Sequence, residues 1–343
     1  MRRSARKLLD KARFPLTAKT LVLSSSRGYW AFSGKWEGRK ALGSKRCSRS
    51  YDPGRVKSKG ERMQVYSLCS SSRVGSSYVV VGPHGALLID CGSTQRHLRH
   101  CLATLGLSPS DICGCLITHS HPDHVRGIRL VARLGIPIFA RPETAQAISA
   151  RFGPATGVNS LKLEVHLGGG FVARAIPVSH YAYDGSCAFV IQDGKEAALL
   201  VTDAGEVPEP TLACARGATY VICEANHDRV RAESGIPFEG GRWRPQWVLR
   251  QHSLSSMGHL SNDQAAKALS SIVTRETRAV LLCHLSEDYN RPDVAVRTVQ
   301  SGLASHGWHG PVEALPPDRV WGPVPGNPVV GPRMSTGATG DAS

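Results

Sequence analysis

The chain has 343 residues, 41% hydrophobic and 20% charged, enough for one large folded domain or two ordinary ones. It contains no run of about 18 apolar residues and no apolar segment after its basic start, so neither a membrane-spanning helix nor a signal peptide is expected. The net charge of +15 suggests a nucleic-acid binder until it is located: residues 1–62 hold 18 of the 42 Lys/Arg and 4 of the 27 Asp/Glu, leaving 24 basic and 23 acidic residues elsewhere. The charge belongs to the first segment, not to the core.

Residues 1–62 lack sustained periodicity and are rich in Arg, Lys, Ser and Gly. A disordered basic arm, a targeting sequence, or residues upstream of a true start at Met63 all fit. A folded domain is expected over 63–322. Its first strands are predicted near 64–69, 77–82 and 86–90, separated by the turn residues 72–76 and 82–85. A helix over 94–105, a buried strand from Ile112 to Thr118, a helix from Asp123 and a strand over Ile136–Ala140 follow. Further strands are predicted at 171–178, 187–192, 197–202, 219–223 and 279–283, with a helix at 292–304. Ser261 and Gln264 have the spacing of an N-cap and the third helical position of a capping box. Strands in runs, then interleaved with helices, then in runs again, suggest two mixed β-sheets flanked by helices, an αββα sandwich. Residues 323–343, rich in Pro, Gly, Ser and Thr, read as a disordered tail.

Ten cysteines are scattered through the chain with no C-x-x-C, and Cys91, Cys113, Cys223 and Cys283 lie in or beside apolar runs. They read as small buried hydrophobes in a reducing cytoplasm, with Cys113-Gly-Cys115 as a soft-metal pair the alternative.

The decisive segment is Thr118-His119-Ser120-His121-Pro122-Asp123-His124, directly after an apolar strand. Histidines 119 and 121 can point toward one cation, while Asp123 and His124, at the start of the next helix, can face a second. Imidazole with carboxylate suits zinc, manganese or iron. This H-S-H-P-D-H resembles the H-x-H-x-D-H signature of the metallo-β-lactamase superfamily, and the rest of that pattern follows in order. Leu88–Gly92 resembles the first motif, whose Asp, here Asp90, orients the metal loop rather than binding metal. Val178-Ser179-His180 resembles the third, which supplies the last histidine of one metal. Val201–Gly205 resembles the fourth, whose Asp, here Asp203, bridges both metals. Leu282-Cys283-His284 resembles the fifth, which supplies the last histidine of the second metal. The resemblance implies two divalent metal ions and a bridging hydroxide. A metal lowers the pKa of bound water toward about 7. The soft Cys ligand of the antibiotic-hydrolysing branch is absent.

Three further segments, Glu224-Ala-Asn-His227-Asp228, Gly258-His259-Leu-Ser-Asn262 and His284–Asn290, resemble the WalJ/YycJ-type subfamily, bacterial exonucleases or phosphodiesterases acting on DNA. The likeness spans about residues 63–305. Two places depart from it: His180-Tyr-Ala-Tyr-Asp184 replaces a His-Asp-Ala run, and Arg73 and Val74 intrude in the small-residue run 70–77. A more distant likeness to ribonuclease Z implies that Asp123 orients or deprotonates water. It also implies that His259 contacts phosphate or protonates the leaving oxygen, with Glu224 behind it. His259 as a helix-entry residue bonding the backbone is the plain alternative. His227 is read as substrate-binding or structural, and Asn262 and Arg244 as substrate-binding. The stretch from Arg229 to Ser256 carries Arg229, Arg231, Arg242, Arg244 and Arg250 with Phe238, Trp243 and Trp247. It reads either as a platform for phosphates and bases or as an amphipathic insertion packed on the core.

The expectation is therefore a cytoplasmic, dinuclear hydrolase, a 5′-to-3′ DNA exonuclease-like phosphodiesterase with nucleic acid as substrate. Two alternatives stand beside it. The same fold serves a small-molecule hydrolase of thioesters, lactones or cyclic phosphodiesters, and a non-catalytic nucleic-acid binder would work through its basic arm.

Overall fold

Among the described residues, fourteen strands alternate with helices in an order that builds each sheet from an antiparallel half and a parallel half. The computed structural model describes residues 62–239 and 247–324, all within one unit, Cys47–Ser343. The expected basic arm and most of the expected tail lie outside the described residues, as do Arg242, Trp243 and Arg244. No described helix is long and apolar enough to cross a membrane.

The first sheet contains β1 (Gln64–Ser71), β2 (Gly75–Gly82), β3 (Gly85–Ile89), β4 (Ile112–Ile117), β5 (Ile138–Ala140), β6 (Val158–Ser160) and, at its far edge, β14 (Trp321–Val324). Its order is β14-β1-β2-β3-β4-β5-β6, antiparallel as far as β3 and parallel beyond it. The second sheet contains β7 (Glu164–His166), β8 (Phe171–Val178), β9 (Ser186–Asp193), β10 (Glu196–Val201), β11 (Tyr220–Glu224), β12 (Ala279–Cys283) and β13 (Val312–Ala314). Its order is β13-β12-β11-β10-β9-β8-β7, antiparallel from β7 to β10 and parallel from β10 to β13. The helices are α1 (Gln95–Thr104), α2 (Pro122–Val125), α3 (Ile128–Arg133), α4 (Pro142–Phe152), α5 (Glu209–Ala215), α6 (Arg229–Ser234), α7 (Trp247–Leu254), α8 (Asn262–Ser270) and α9 (Pro292–Ser305).

Period-2 alternation sorts the side chains into three cores. Leu87, Leu116, Phe189, Leu200, Ile222 and Leu281 pack between the sheets. Leu88 and Ile117 meet Leu98, Ile128, Val131 and Ile148 under the helices of the first sheet. Leu199, Val221 and Leu282 meet Ala265, Leu269, Val299 and Leu303 under those of the second. Each buried Leu, Ile or Phe contributes roughly 1.5–3 kcal/mol of transfer free energy, so both faces of both sheets are held by the same term. This is the αββα sandwich expected.

The predicted strand over 136–140 shortens to Ile138–Ala140, because Pro137 has no N–H to pair; its carbonyl still accepts from Cys115 N–H at 2.8 Å. The capping box at Ser261 and Gln264 is present as read. Strand β14 runs two residues past the boundary expected at 322 and pairs with β1. None of the nine described cysteines is in a disulfide, and seven of them are buried. Cys113 and Cys115 do not form a pair: the β3–β4 register shifts at Cys113, so Cys115 joins the helix-facing core and Cys113 packs toward the space between the sheets.

Candidate metal centre

The first half of the site is the loop leaving β4. Its anchor is Asp90, one residue past β3 and fully buried. Asp90 Oδ1 accepts from Thr118 N–H at 2.8 Å, and Oδ2 accepts from the Thr118 hydroxyl at 2.8 Å and from His124 Nδ1 at 2.7 Å. Because the Thr118 hydroxyl donates to Asp90, its lone pairs receive His119 Nδ1–H at 3.1 Å. Both rings are thereby turned so that Nε2 faces inward. Gly92 lets this loop seat: a Cβ there would lie 1.5 Å from the Asp123 carbonyl oxygen. His121 caps α2, Pro122 occupies the first turn, and His124 points back into the core.

The second half comes from separate strand ends. Parallel pairing sets Val201 level with Cys223 and Glu224 level with Cys283, so Asp203, Glu224 and His284 emerge side by side from β10, β11 and β12. His180 follows β8, and its Nδ1 donates to the Gly258 carbonyl at 3.0 Å. Glu224, fully buried, is the hub. Its Oε1 accepts from His259 Nδ1 at 2.6 Å and His284 Nδ1 at 3.1 Å, while Oε2 accepts from Ala204 N–H at 3.0 Å. Asp90, Asp203 and His284 have φ of 54°, 52° and 53°, a left-handed conformation that non-glycine residues adopt at a cost on the order of 1–3 kcal/mol each. All three sit where a strand must turn its side chain abruptly into the site.

The two halves converge. His119, His121 and His180 bring one ligand atom each within 4.8 Å of one another, and so do Asp123, His124 and His284. Asp203 lies between the groups, with Oδ2 3.0 Å from His124 Nε2 and Oδ1 3.6 Å from His284 Nε2 and 3.9 Å from His180 Nε2. His119 Nε2 is buried without a hydrogen-bond partner, an expensive condition unless something else takes its lone pair, and the Nε2 atoms of His124 and His284 face only carboxylates. His180 Nε2 and His121 Nδ1 face each other at 3.4 Å, as two donors to one cation would.

The electrostatics separate the halves further. Burial, aided by the His124 imidazole, holds His119 well below the usual histidine range, and burial likewise lowers His121 and His180. These rings are neutral, the form that ligates metal. Burial also opposes charge on His124 and His284, but Asp203 with Asp90 or Asp123 and Glu224 outweighs it, raising His124 and pushing His284 up to about 10. Positive charge is thus wanted there, and a divalent cation supplies it. The donor set fits a pair of such ions.

Of the remaining expected site residues, Asn262 is 1% exposed and exchanges hydrogen bonds with Asn290 at 3.2 and 2.8 Å. His227 is likewise buried, at 2% exposure, beside the start of α8. Arg244 lies outside the described residues. Arg231 stacks on Phe238 at 4.6 Å, one face of the expected basic segment packed on its own aromatic. Sequence reasoning missed Thr118 as the relay between Asp90 and His119, and Asp184, which bonds the loop between His119 and His121. A buried Asp just past a ligand histidine was the available signal.

The profile of the beta-lactamase superfamily domain matches residues 86–285. The chain is 30% identical over 245 residues to the exodeoxyribonuclease WalJ of Streptococcus pneumoniae, covering 70% of this chain and 88% of that one. It is 27% identical over 247 residues to the exodeoxyribonuclease YycJ of Bacillus anthracis, covering 71% and 90%. Among solved structures it is similar to the metallo-β-lactamase fold protein YhfI of Bacillus subtilis, with a TM-score of 0.56 at 17% identity over 76% of this chain and 98% of that one. It is also similar to zinc-bound PqqB of Methylobacterium extorquens, with a TM-score of 0.52 at 15% identity over 76% and 99%. With the histidines and carboxylates converging at the strand ends of this fold, the chain belongs to the metallo-β-lactamase superfamily of hydrolases, and within it to the YycJ/WalJ family.

Proposed function

We propose that this hydrolase is a dinuclear, metal-dependent phosphodiesterase that degrades DNA from its ends in the 5′-to-3′ direction. The observation that carries the reading is the pair of donor groups with Asp203 between them, backed by a Glu224–His259 couple at 2.6 Å. The names of the WalJ and YycJ relatives support DNA as substrate.

His119, His121 and His180 would hold one ion, Asp123, His124 and His284 the other, and Asp203 both. When bound, two divalent cations, zinc or manganese with iron also suited to the donor set, polarise the phosphoryl group and lower the pKa of water toward about 7. Asp123, with 18% of its side chain exposed, stands at the rim of the second group and orients the attacking water. His259 gives Nδ1–H to Glu224, which leaves its Nε2 for the substrate. Burial opposes charge on this ring, but Glu224 overcomes it and raises the pKa, so the ring keeps a proton for a phosphate or leaving oxygen.

The test is end-labelled duplex DNA incubated with the manganese-loaded full chain. Stepwise release of label from 5′ ends is expected. Intact DNA at a metal content near two per chain refutes the reading, and hydrolysis of cyclic nucleotides, thioesters or lactones by the same preparation replaces it with a small-molecule hydrolase.

A further inference from the structure

A fourth buried carboxylate, Asp184, serves neither donor group directly. It lies between β8 and β9, four residues beyond His180, and is 4% exposed. Gly185, at φ 71°, completes the turn that places it, with its N–H on the Ala182 carbonyl at 2.9 Å. Asp184 Oδ2 accepts from the backbone N–H of Ser120 at 3.0 Å, and Oδ1 accepts from the Ser120 hydroxyl at 3.0 Å.

Ser120 is the residue between His119 and His121. Its carbonyl accepts from Arg151 Nη1, on α4, at 3.4 Å, so the peptides on both sides of Ser120 are held. Three residues past Asp184, Cys187 Sγ meets the Thr118 carbonyl at 3.5 Å, extending the same seam. One short segment of the second sheet therefore supplies His180 and also clamps the first-sheet loop that supplies the other two imidazoles. The ring centroid of His180 lies 5.1 Å from that of His119 and 5.2 Å from that of His121.

We propose that Asp184 is a positioning residue for the three-histidine group: by bonding Ser120 it fixes the His119–His121 loop against the loop that carries His180. The proposal rests on the reading that these histidines hold one of two cations. Asp90 and Glu224 bond imidazole rings directly, whereas Asp184 acts on the backbone between two of them. Its loss should therefore spread the imidazoles of one group and leave Asp123, His124 and His284 in place.

The experiment titrates metal-free protein with cobalt(II), following the d–d absorption bands and competing with a chelator, for wild type, Asp184→Ala, Asp184→Asn and Ser120→Ala. Wild type should take up two equivalents. Asp184→Ala should weaken one of them by about 10- to 100-fold and shift its bands, with the other unchanged within about twofold, as loss of an outer partner does. Asp184→Asn retains an acceptor for the Ser120 N–H and should fall between, and it also serves if the alanine variant does not fold. Ser120→Ala, which keeps the backbone bond, should be milder than Asp184→Ala. Two unchanged equivalents in Asp184→Ala or Asp184→Asn, or equal weakening of both, overturn the role of Asp184 alone. A wild-type chain that binds no cobalt overturns the metal reading with it.

Discussion

The two halves of the centre reach the same chemistry by different routes. The β4–α2 loop carries four donors, His119, His121, Asp123 and His124, within six consecutive residues, and Asp90 and Thr118 aim two of them. The second sheet delivers His180, Asp203, Glu224, His259 and His284 from five separated stretches, aligned by the parallel register of β10, β11 and β12. In the first half local chain geometry sets the spacing. In the second, strand pairing does, and one buried carboxylate, Glu224, ties three of the stretches together. The lesson is that a contiguous motif can be perturbed one residue at a time, whereas the distributed half should respond as a unit.

The largest test of that contrast is Asp123→Ala. It removes the rim carboxylate and should lower turnover by roughly 10²–10⁴-fold while the metal-free melting temperature stays close to wild type. Turnover within a few-fold of wild type would remove Asp123 from the chemistry. His119→Ala and His284→Ala strike one group each. Elemental analysis should show each losing about one of two equivalents, and wild-type metal content in either would refute that ligand.

Glu224→Gln and Asp90→Asn sharpen the comparison. Each should weaken metal binding by about 10- to 100-fold, since each orients an imidazole from outside the cluster. Glu224→Gln should in addition lower kcat, because it also supports His259; an equal kcat loss in both variants would show the halves to be one unit.

A smaller effect separates structure from chemistry at His227. Burial lowers its pKa from 6.5 to about 4. The unfolded chain therefore takes up the proton first, so its contribution to stability is complete above pH 6.5 and is lost as pH falls toward 4. His227→Gln should flatten the melting-temperature profile of the metal-free protein in that window; identical slopes would assign the loss elsewhere. The smallest is Ser261→Ala, which removes the cap of α8 behind His259 and should cost about 1 kcal/mol in denaturant unfolding. No measurable loss would show that the Gln264 side of the capping box suffices.

Much of the centre was legible because its donors follow apolar strands directly. Alone, His180, Asp203 or His284 after an apolar strand would read as a satisfied buried polar residue; their order along the chain, together with Asp90 and the His119–His124 loop, points to a metal centre. The helix over Pro142–Phe152 was also readable, with Pro at the first position and Glu143 in the first turn, although the expected elements omitted it. The edge strands Val158–Ser160 and Glu164–His166 were not, since three residues cannot display a period and their pairing is made by neighbours far along the chain. Asn262 was read as substrate-binding, and His227 as substrate-binding or structural, because their motifs resemble active-site segments. Nothing local shows that Asn290 folds back onto the Asn262 amide.

The amino-acid order by itself determined the strand periods, the cap at Ser261 and the chemistry of the His119–His124 loop, because each depends on residues within a turn or a strand of one another. Tertiary structure alone decided that Asp203 stands between two donor groups, that Glu224 orients both His259 and His284, and that Asp184 reaches Ser120. Those contacts join residues from 23 positions apart, Asp203 with His180, to 81, Asp203 with His284. Only the register of packed sheets, set by apolar burial on both faces, brings such distant groups within hydrogen-bond range.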